Sequence, residues 1–302
     1  MMMMMEESIL ISLRTALLSR VPLPALPEVV WRRTGALNTW GTNAIEGNTL
    51  TRKETEQLLL DGESVGRRPV RDVLETLQHQ AVFLSLLRRV GAPLTRETAL
   101  EFHAGVFRGV KEDAGHWRAV NVEIRGTDYR PPRVEEVELR MRLWEREYES
   151  RDIRGEAVFP LAAWMHHEFE AVHPFSDGNG RAGRLLLNLH FLRHSWPPLH
   201  ILPPDRVRYL TAMDAGHGGD LKPLEELLQA AMARSLLDLL DQVGTKADAL
   251  LGLKALARSG SYSAKYLALR AAGERLPAIK ARGGWRTSRR ALTLYQEHIG
   301  RA

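Results

Sequence analysis

The sequence lacks cysteine, which excludes disulfide bonds and thiolate metal sites and leaves the cellular compartment open. It also lacks a run of about 18 apolar residues, the length that a membrane-spanning helix requires. The N-terminus is rich in methionine and then acidic, without the basic region and small-residue cleavage site of a secretory signal. These absences predict a cytoplasmic protein that has no membrane partner.

A strong excess of one charge is missing as well. The chain has 42 Lys and Arg against 37 Asp and Glu, a formal net charge of +5, which alone does not indicate a nucleic-acid binder. Its 302 residues are 44% hydrophobic and 26% charged, which is typical of a globular protein. A chain of this length can bury a substantial core and predicts two or three structural units.

The most informative stretch that is present runs from His173 to Arg184, with the sequence HPFSDGNGRAGR. Pro174 and the glycines at 178 and 180 are incompatible with a continuous helix. The stretch is therefore predicted to be a loop that becomes a helix near Arg181. An apolar helix is predicted to follow it, from Leu185 to His194.

The side chains of this loop suit the binding and transfer of a phosphate-containing group. Glycine-rich backbone at a helix start offers N–H groups to anionic oxygens, and Arg181 and Arg184, three residues apart, can reach one polyphosphate. Asp177 is a suitable Mg²⁺ ligand, and His173 can accept a proton near neutral pH. Together they predict transfer from a nucleoside triphosphate to a hydroxyl. A solvated turn that caps a core helix would explain single residues of the set but not their combination.

The same stretch resembles the signature of the Fic family, HxFx(D/E)GNGRxxR, and every specified position is filled. The resemblance implies an all-α fold and transfer of a nucleotide monophosphate, most often AMP from ATP, to a Ser, Thr or Tyr hydroxyl of a protein. It also implies roles for the loop residues: His173 as general base, Asp177 as the Mg²⁺ ligand, Gly178, Asn179 and Gly180 as the anion-binding nest with Asn179 reaching the α-phosphate, and Arg181 and Arg184 on the outer phosphates.

A second motif lies near the N-terminus. Thr42 is predicted to cap a helix that contains Glu46 and ends near Gly47, and on these residues alone a structural cap is the preferred interpretation. Beside the Fic signature, however, they resemble the family's inhibitory motif, (S/T)xxxE(G/N). The resemblance implies that Glu46 pairs with Arg184, so that ATP binds in a pose in which its α-phosphate cannot be attacked in line.

Residues 115–132 have the character of a strand. Val120, Val122 and Ile124 alternate with polar residues, and Gly126 with Asp128 supplies a turn. The residues alone allow a small structural hairpin, whereas the family resemblance implies a flap that aligns a target backbone by strand addition. The part of the flap over the nucleotide would be formed by Val122, Glu123, Ile124 and Arg125.

Several histidines and one tyrosine lie outside these motifs. His166 and His167 lie on the apolar helix predicted from Ala157 to Val172, and without a third ligand they are expected to be core residues rather than metal ligands. His79 is expected at the surface. Tyr209 resembles a family position that contacts adenine, while His217 stands where many members have Asn.

The C-terminal segment is basic: from Arg258 to Arg290 it has nine Lys or Arg and one acidic residue. Helices are predicted over 246–257, 263–272 and 288–295, with a hairpin over 276–286. This order resembles a small winged helix-turn-helix of the excisionase type, which would place five residues on DNA: Lys265, Arg270, Lys280, Arg282 and Arg286. A positively charged protein-docking module remains an equal alternative.

The sequence thus predicts an all-α protein with a short β-hairpin flap and a small winged-helix domain. The expected domains are an N-terminal helical region (1–92), a Fic catalytic core (93–243) and the winged-helix module (244–302). The expected function is ATP- and Mg²⁺-dependent AMP transfer to a protein hydroxyl, restrained by Glu46. The alternatives are transfer of UMP or phosphate, removal of AMP with Glu46 positioning a water, or a DNA-binding regulator whose Fic part senses nucleotide.

Overall fold

The computed structural model describes residues 7–124, 126–258, 262–281 and 283–299. The chain divides into two compact units, one of residues 31–227 and one that combines residues 1–30 with 228–302. The predicted domain boundaries at 92/93 and 243/244 fall inside these units rather than between them. Within the described residues, no helix has the length and apolar character needed to cross a membrane.

The all-α prediction is confirmed, since helices account for nearly all regular structure in the described residues. The helices are α1 Glu7–Leu18, α2 Glu28–Ile45, α3 Arg52–Glu56, α4 Val70–Ser85, α5 Arg96–Phe107, α6 Val137–Ile153, α7 Val158–Val172, α8 Asn179–Arg193, α9 Arg206–His217, α10 Lys222–Val243, α11 Leu253–Ala257, α12 Ala264–Ala272 and α13 Arg289–Ile299. The strands are β1 Leu251–Gly252, β2 Ile279–Ala281 and β3 Gly284–Thr287.

The centre of the first unit is the pair α7 and α8, which flank the loop predicted from the sequence. Helices α5 and α6 pack around this pair, and four phenylalanines are fully buried there: Phe159, Phe169, Phe175 and Phe191. Burying each such side chain contributes roughly 1.5–3 kcal/mol. The loop between α7 and α8 is therefore carried by the most densely buried part of the unit, which holds its position.

The helix that carries Thr42 and Glu46 differs from the prediction. It is α2, which begins at Glu28, so Thr42 lies in its last turn and does not cap its start. Glu46 follows the last helical residue, and Gly47 then adopts φ 89°, a left-handed conformation that glycine adopts without steric cost. The helix runs longer because the apolar residues upstream of Thr42, such as Val30 and Trp31, are buried.

The flap differs too. Its described residues, 115–124 and 126–132, contain no paired strand, although Val122 and Ile124 are half-buried while Glu123 is exposed, as in a strand. Hydrogen bonds from a side chain take the place of strand-to-strand backbone bonds here. The guanidinium of the buried Arg118 donates to the carbonyls of Val120 at 2.9 Å and Pro132 at 2.5 Å. The segment is thus an extended loop closed by one arginine. Arg125 lies outside the described residues.

The second unit contains the sheet, an antiparallel arrangement in the order β1-β3-β2 with Lys280 opposite Trp285. The hairpin predicted over 276–286 therefore forms. The helix predicted over 246–257 is reduced to α11, because Leu251 and Gly252 pair with β3. A core of leucines and Tyr295 lies beneath the sheet and helices, and α1 packs against α13.

Candidate functional site

His173 is the residue that ends α7, in a left-handed conformation with φ 49° and ψ 59°. Its Nδ1 lies 3.3 Å from the carbonyl oxygen of Glu170, a partner that can only accept, so Nδ1 carries the proton and Nε2 keeps its lone pair. Arg118 Nε donates to the His173 carbonyl at 2.9 Å. Burial lowers the pKa of the His173 imidazole, which keeps the ring neutral at pH 7 and able to accept a proton.

The loop after His173 is closed by Asn179. Its Oδ1 accepts from the backbone N–H of Phe175 at 2.8 Å, and its Nδ2 donates to the Phe175 carbonyl at 2.9 Å. Gly178 adopts φ 88° against the ring of Phe107, which a Cβ at this position would overlap. Both ends of the Asn179 amide are therefore engaged within the loop, whereas the resemblance implied a contact with the α-phosphate.

Asp177 lies at the open side of the loop, with its side chain 42% exposed, and attracts positive charge. Its Oδ2 lies 3.0 Å from Lys111 Nζ and 3.2 Å from Arg71 Nη2, and its Oδ1 lies 3.8 Å from Arg181 Nη2. Burial opposes ionisation of this carboxyl, but the hydrogen bond from Lys111 and the neighbouring positive charges outweigh it and lower its pKa.

The same carboxylate suits a divalent cation. Among the described residues no three acidic or histidine side chains cluster as a metal site, so any ion here would rely on Asp177 and on oxygens brought by a ligand. Mg²⁺ is commonly bound in this way, through one or two carboxylates plus substrate phosphates. The two cations already at Oδ2 indicate that positive charge is favoured at this position.

Arg184 is buried and paired with the residues of the N-terminal motif. Its Nη2 donates to Glu46 Oε1 at 2.6 Å, and its Nε donates to Thr42 Oγ1 at 2.6 Å. Burial favours the neutral form of Glu46, but the charge and hydrogen bond of Arg184, with a smaller contribution from Arg181, lower its pKa. Glu46 also fills the space over Gly180, where a Cβ would overlap Glu46 Oε1. The carboxylate thus pairs with the arginine and also covers the backbone at Gly180.

Arg181 has a different carboxylate partner, which the sequence interpretation missed. Its Nη1 donates to Glu75 Oε2 at 2.5 Å, and both side chains are only 4% exposed. Glu75 lies on α4 and also accepts from Arg71 Nε at 2.8 Å. The only signal in the sequence was the spacing of Arg71 and Glu75 by four residues, which is common on any helix surface.

Comparison with known proteins assigns the part of the chain that carries this loop to a family. Residues 93–191 match the Fic/DOC family. The chain carries a Fic domain. It is 30% identical over 228 residues to the protein adenylyltransferase fic-1 of Caenorhabditis elegans, covering 73% of this chain and 44% of that protein. It is 29% identical over 201 residues to the protein adenylyltransferase Fic of Nematostella vectensis, covering 65% of this chain and 46% of that protein. The chain spans less than half of the length of these relatives.

Solved structures agree with this assignment. A Fic-domain-containing signalling protein from Bacteroides thetaiotaomicron has a TM-score of 0.68 at 25% identity, over 77% of this chain and 97% of that one. Fic-1 of C. elegans has a TM-score of 0.64 at 25% identity, over 78% of this chain and 72% of that one. The predicted resemblance is therefore confirmed for the Fic part, while the winged-helix assignment stays a prediction.

A wide cleft of about 740 Å³ lies beside the flap of the Fic domain. It is lined by Gly126, Thr127, Asp128, Tyr129, Asp214, His217 and Gly218. The rings of Tyr129 and His217 stack at 3.7 Å, and His217 Nδ1 lies 3.1 Å from His167 Nε2. The histidine that replaces the common Asn thus connects the flap to α7.

Tyr209 lies beside Arg184 rather than in this cleft. It is buried, its hydroxyl lies 2.8 Å from His166 Nε2, and the guanidinium of Arg184 lies 5.9 Å from its ring centroid. His166 is a core residue, as expected. The expectation for His79 was wrong: it is fully buried, with Nδ1 2.9 Å from Thr39 Oγ1.

The basic residues of the C-terminal module are distributed over α12 and the hairpin. Lys265 and Arg286 are exposed, Arg270 lies over the ring of Tyr266 at 4.7 Å, and Lys280 lies 5.8 Å from the ring centroid of Trp285. The fifth predicted DNA contact, Arg282, lies outside the described residues.

Proposed function

We propose that the chain transfers AMP from ATP to the hydroxyl of a Ser, Thr or Tyr side chain of a protein substrate. The observation that carries the proposal is that one loop and the first turns of α8 bring together a neutral imidazole at residue 173, a carboxylate at 177 and a buried arginine at 184. The naming of relatives as protein adenylyltransferases supports the same chemistry.

In the proposed reaction, His173 Nε2 accepts the proton of the target hydroxyl as the hydroxyl oxygen attacks the α-phosphorus. The bond from that phosphorus to the bridging oxygen breaks, and pyrophosphate leaves with its electron pair. The N–H groups around Gly180, together with Arg181 and Arg184, stabilise the charge on the phosphates. Catalysis of this kind depends on positioning and electrostatics rather than on a covalent intermediate.

Asp177 would hold Mg²⁺ together with oxygens of the triphosphate. The ion would supply positive charge to the leaving pyrophosphate. For that binding, Lys111 and Arg71 must release Oδ2 of Asp177, or share the carboxylate through its other oxygen.

The pair of Glu46 and Arg184 supports a restrained state of this enzyme. The guanidinium of Arg184 is already hydrogen-bonded to Glu46 at 2.6 Å and is not available to a γ-phosphate. The Glu46 carboxylate also lies where a phosphate would approach Gly180. Electrostatic repulsion between that carboxylate and the triphosphate would shift the nucleotide away from the in-line position. Activation then requires displacement of the segment that follows α2.

The test uses ATP labelled at the α-phosphate with the full chain. The Glu46→Gly variant is expected to label itself or an added protein, and a second substitution, His173→Ala, is expected to abolish the labelling while nucleotide binding persists. Mass spectrometry of the modified protein separates AMP from UMP or phosphate, and loss of AMP from a premodified target would indicate removal. Labelling that survives His173→Ala would contradict the proposed base.

A second candidate function, DNA binding, is favoured by the C-terminal module. Lys265 on α12 and the hairpin residues Lys280 and Arg286 are all exposed, and a short helix followed by α12 and a basic hairpin suits a groove-reading helix with a wing. Such charge equally fits an acidic protein surface.

Binding of a fluorescent DNA duplex distinguishes DNA binding from docking to an acidic protein surface. Replacing Lys280 and Arg286 with Gln is expected to weaken binding and to reduce the salt slope by about 0.9 for each phosphate that the protein no longer neutralises. The matched control replaces two exposed cations of the other unit, Lys53 and Arg146, which should leave binding unchanged. If neither pair affects binding, or wild type does not bind, the DNA hypothesis is wrong.

A further inference from the structure

Glu75 is a buried carboxylate that lies outside both sequence motifs. It sits on α4, is 4% exposed, and bonds Arg181 Nη1 through Oε2 at 2.5 Å. Its other oxygen accepts from Arg71 Nε at 2.8 Å. The carboxylate is thus shared between an arginine of the Fic signature and an arginine that also contacts Asp177.

Stability alone is a weak explanation for such a pair. Removing two charged groups from water costs several kcal/mol, and replacing a buried ion pair with apolar residues of similar volume is often neutral or stabilising. A carboxylate does, however, fix the orientation of a guanidinium, because the N–H bonds of the planar group must point at the accepting oxygens. The presence of Glu75 is therefore better explained by the orientation that it imposes on Arg181.

Two contacts define that orientation. The guanidinium of Arg181 lies 4.4 Å from the centroid of the Phe107 ring, which fixes its plane. The bond to Glu75 then fixes its rotation within that plane. Phe107 also packs against Gly178, so the same ring supports the arginine and the glycine turn.

A competing carboxylate makes this orientation necessary. Asp177 lies four residues before Arg181, and its Oδ1 is 3.8 Å from Arg181 Nη2. Without Glu75, Arg181 would turn further towards Asp177 and shorten this contact to a direct hydrogen-bonded ion pair. That pair would occupy both the arginine that the nucleotide needs and the carboxylate that its metal ion needs.

We propose that Glu75 is a positioning residue for nucleotide binding, which holds Arg181 turned towards the phosphates and keeps it beyond hydrogen-bonding distance of Asp177. The inference rests on the proposed function in one respect: Arg181 must meet the phosphates of a bound nucleotide. It does not depend on which group is transferred, or on whether transfer occurs.

The test compares Glu75→Gln with its parent in the Glu46→Gly background. Glutamine keeps the shape but loses the charge that holds Arg181. We expect the affinity for a non-hydrolysable ATP analogue with Mg²⁺, measured by calorimetry, to fall by about tenfold or more, the effect of removing one charge-assisted hydrogen bond. The KM for ATP should rise similarly, with kcat changed by less than about threefold. Glu75→Asp, which restores the charge at shorter reach, should recover part of the affinity.

Two controls separate positioning from stability. Asp248 is also buried and bonds an arginine, Arg290, at 2.5 Å, but it belongs to the other unit. Asp248→Asn should lower the melting temperature and leave nucleotide affinity unchanged. In an Arg181→Lys background, Glu75→Gln should have little further effect on affinity, because the residue through which it acts has changed.

The outcomes are distinct. A folded Glu75→Gln variant that binds the analogue as tightly as its parent overturns the proposal, and so does an equal loss of affinity in the Arg181→Lys background. If Glu75→Gln does not fold, the same cycle with Glu75→Asp decides. A third outcome is that the Glu46→Gly parent binds the analogue but transfers no group, while Glu75→Gln weakens that binding. This result would refute the proposed function and leave the role of Glu75 intact. No analogue binding by any variant would refute both.

Discussion

Replacing Glu46 with glycine tests the restraint on the site directly. The substitution removes the carboxylate that accepts from Arg184 Nη2 at 2.6 Å and that lies over Gly180. It leaves Thr42, which accepts from Arg184 Nε, so the arginine keeps one of its two anchors and its general position. The expected result is a guanidinium free to bind a γ-phosphate.

The magnitude follows from the competition for Arg184. A hydrogen bond to a charged group contributes roughly 1.5–3 kcal/mol. The Glu46 side chain is 31% exposed, so solvent screening favours the lower part of this range. Since each 1.4 kcal/mol corresponds to a factor of ten, ATP affinity should increase by about tenfold, and by at most about a hundredfold.

Two assays measure the effect. Calorimetry with a non-hydrolysable ATP analogue gives the affinity, and incorporation of α-labelled ATP gives the transfer. Glu54→Gln is a suitable control, because Glu54 also pairs with an arginine, Arg68, outside the loop. A Glu46→Gly variant that incorporates no label and binds the analogue no better than wild type would refute the restraint.

The restraint should also be insensitive to pH near neutrality. The pKa of Glu46 is lowered in the folded protein, so its pairing is fully present above the usual glutamate value of about 4.3 and is lost only as the pH falls below it. Wild-type labelling should therefore stay low from about pH 6 to 8. Activation of wild type within that range would contradict the pairing that the structure shows.

Three further predictions concern the loop and its surroundings. Because burial lowers the pKa of His173, the pH profile of kcat/KM for the released variant should lose activity only below about 6.5; an acidic limb above pH 7 would contradict this. Gly178→Ala places a Cβ against an aromatic ring of α5 at φ 88°. It should therefore lower the free energy of unfolding by about 1–3 kcal/mol more than the control Gly155→Ala, where φ is 72° and the surrounding space is open. Equal melting temperatures of the two variants would refute the overlap. Lys111→Gln removes a cation 3.0 Å from Asp177, and should tighten Mn²⁺ binding with nucleotide, measured by electron paramagnetic resonance, by about fivefold; unchanged or weaker binding would show that the two cations do not compete.

The sequence predicted the site where its residues are contiguous. From His173 to Arg184, chain order alone places an imidazole, a carboxylate and two arginines around one turn, since Pro174 and the glycines leave few other conformations. The pairing of Glu46 with Arg184 was also predicted, but only through a resemblance to a known motif. The helix geometry given for it was wrong, because local cap propensity at Thr42 yielded to burial of the apolar residues that precede it.

The flap illustrates a different limit. Alternating Val122 and Ile124 indicated a strand, yet a strand needs a partner ladder, and the described part of this segment has none. Its shape is set instead by Arg118, whose guanidinium reaches carbonyls that lie 2 and 14 residues away. A hydrogen bond of that span leaves no periodicity in the sequence.

What the sequence determined by itself is the loop between two apolar helices and the chemical character of that loop, because these depend on neighbouring residues and on helical periodicity. The all-α class followed from the resemblance to the Fic family. What only the tertiary structure decided is which charges meet. Glu75 lies 106 residues from Arg181, and Lys111 is likewise distant in the chain from Asp177. Pairs of this kind arise when helices pack, since packing brings together buried charges that must then find partners.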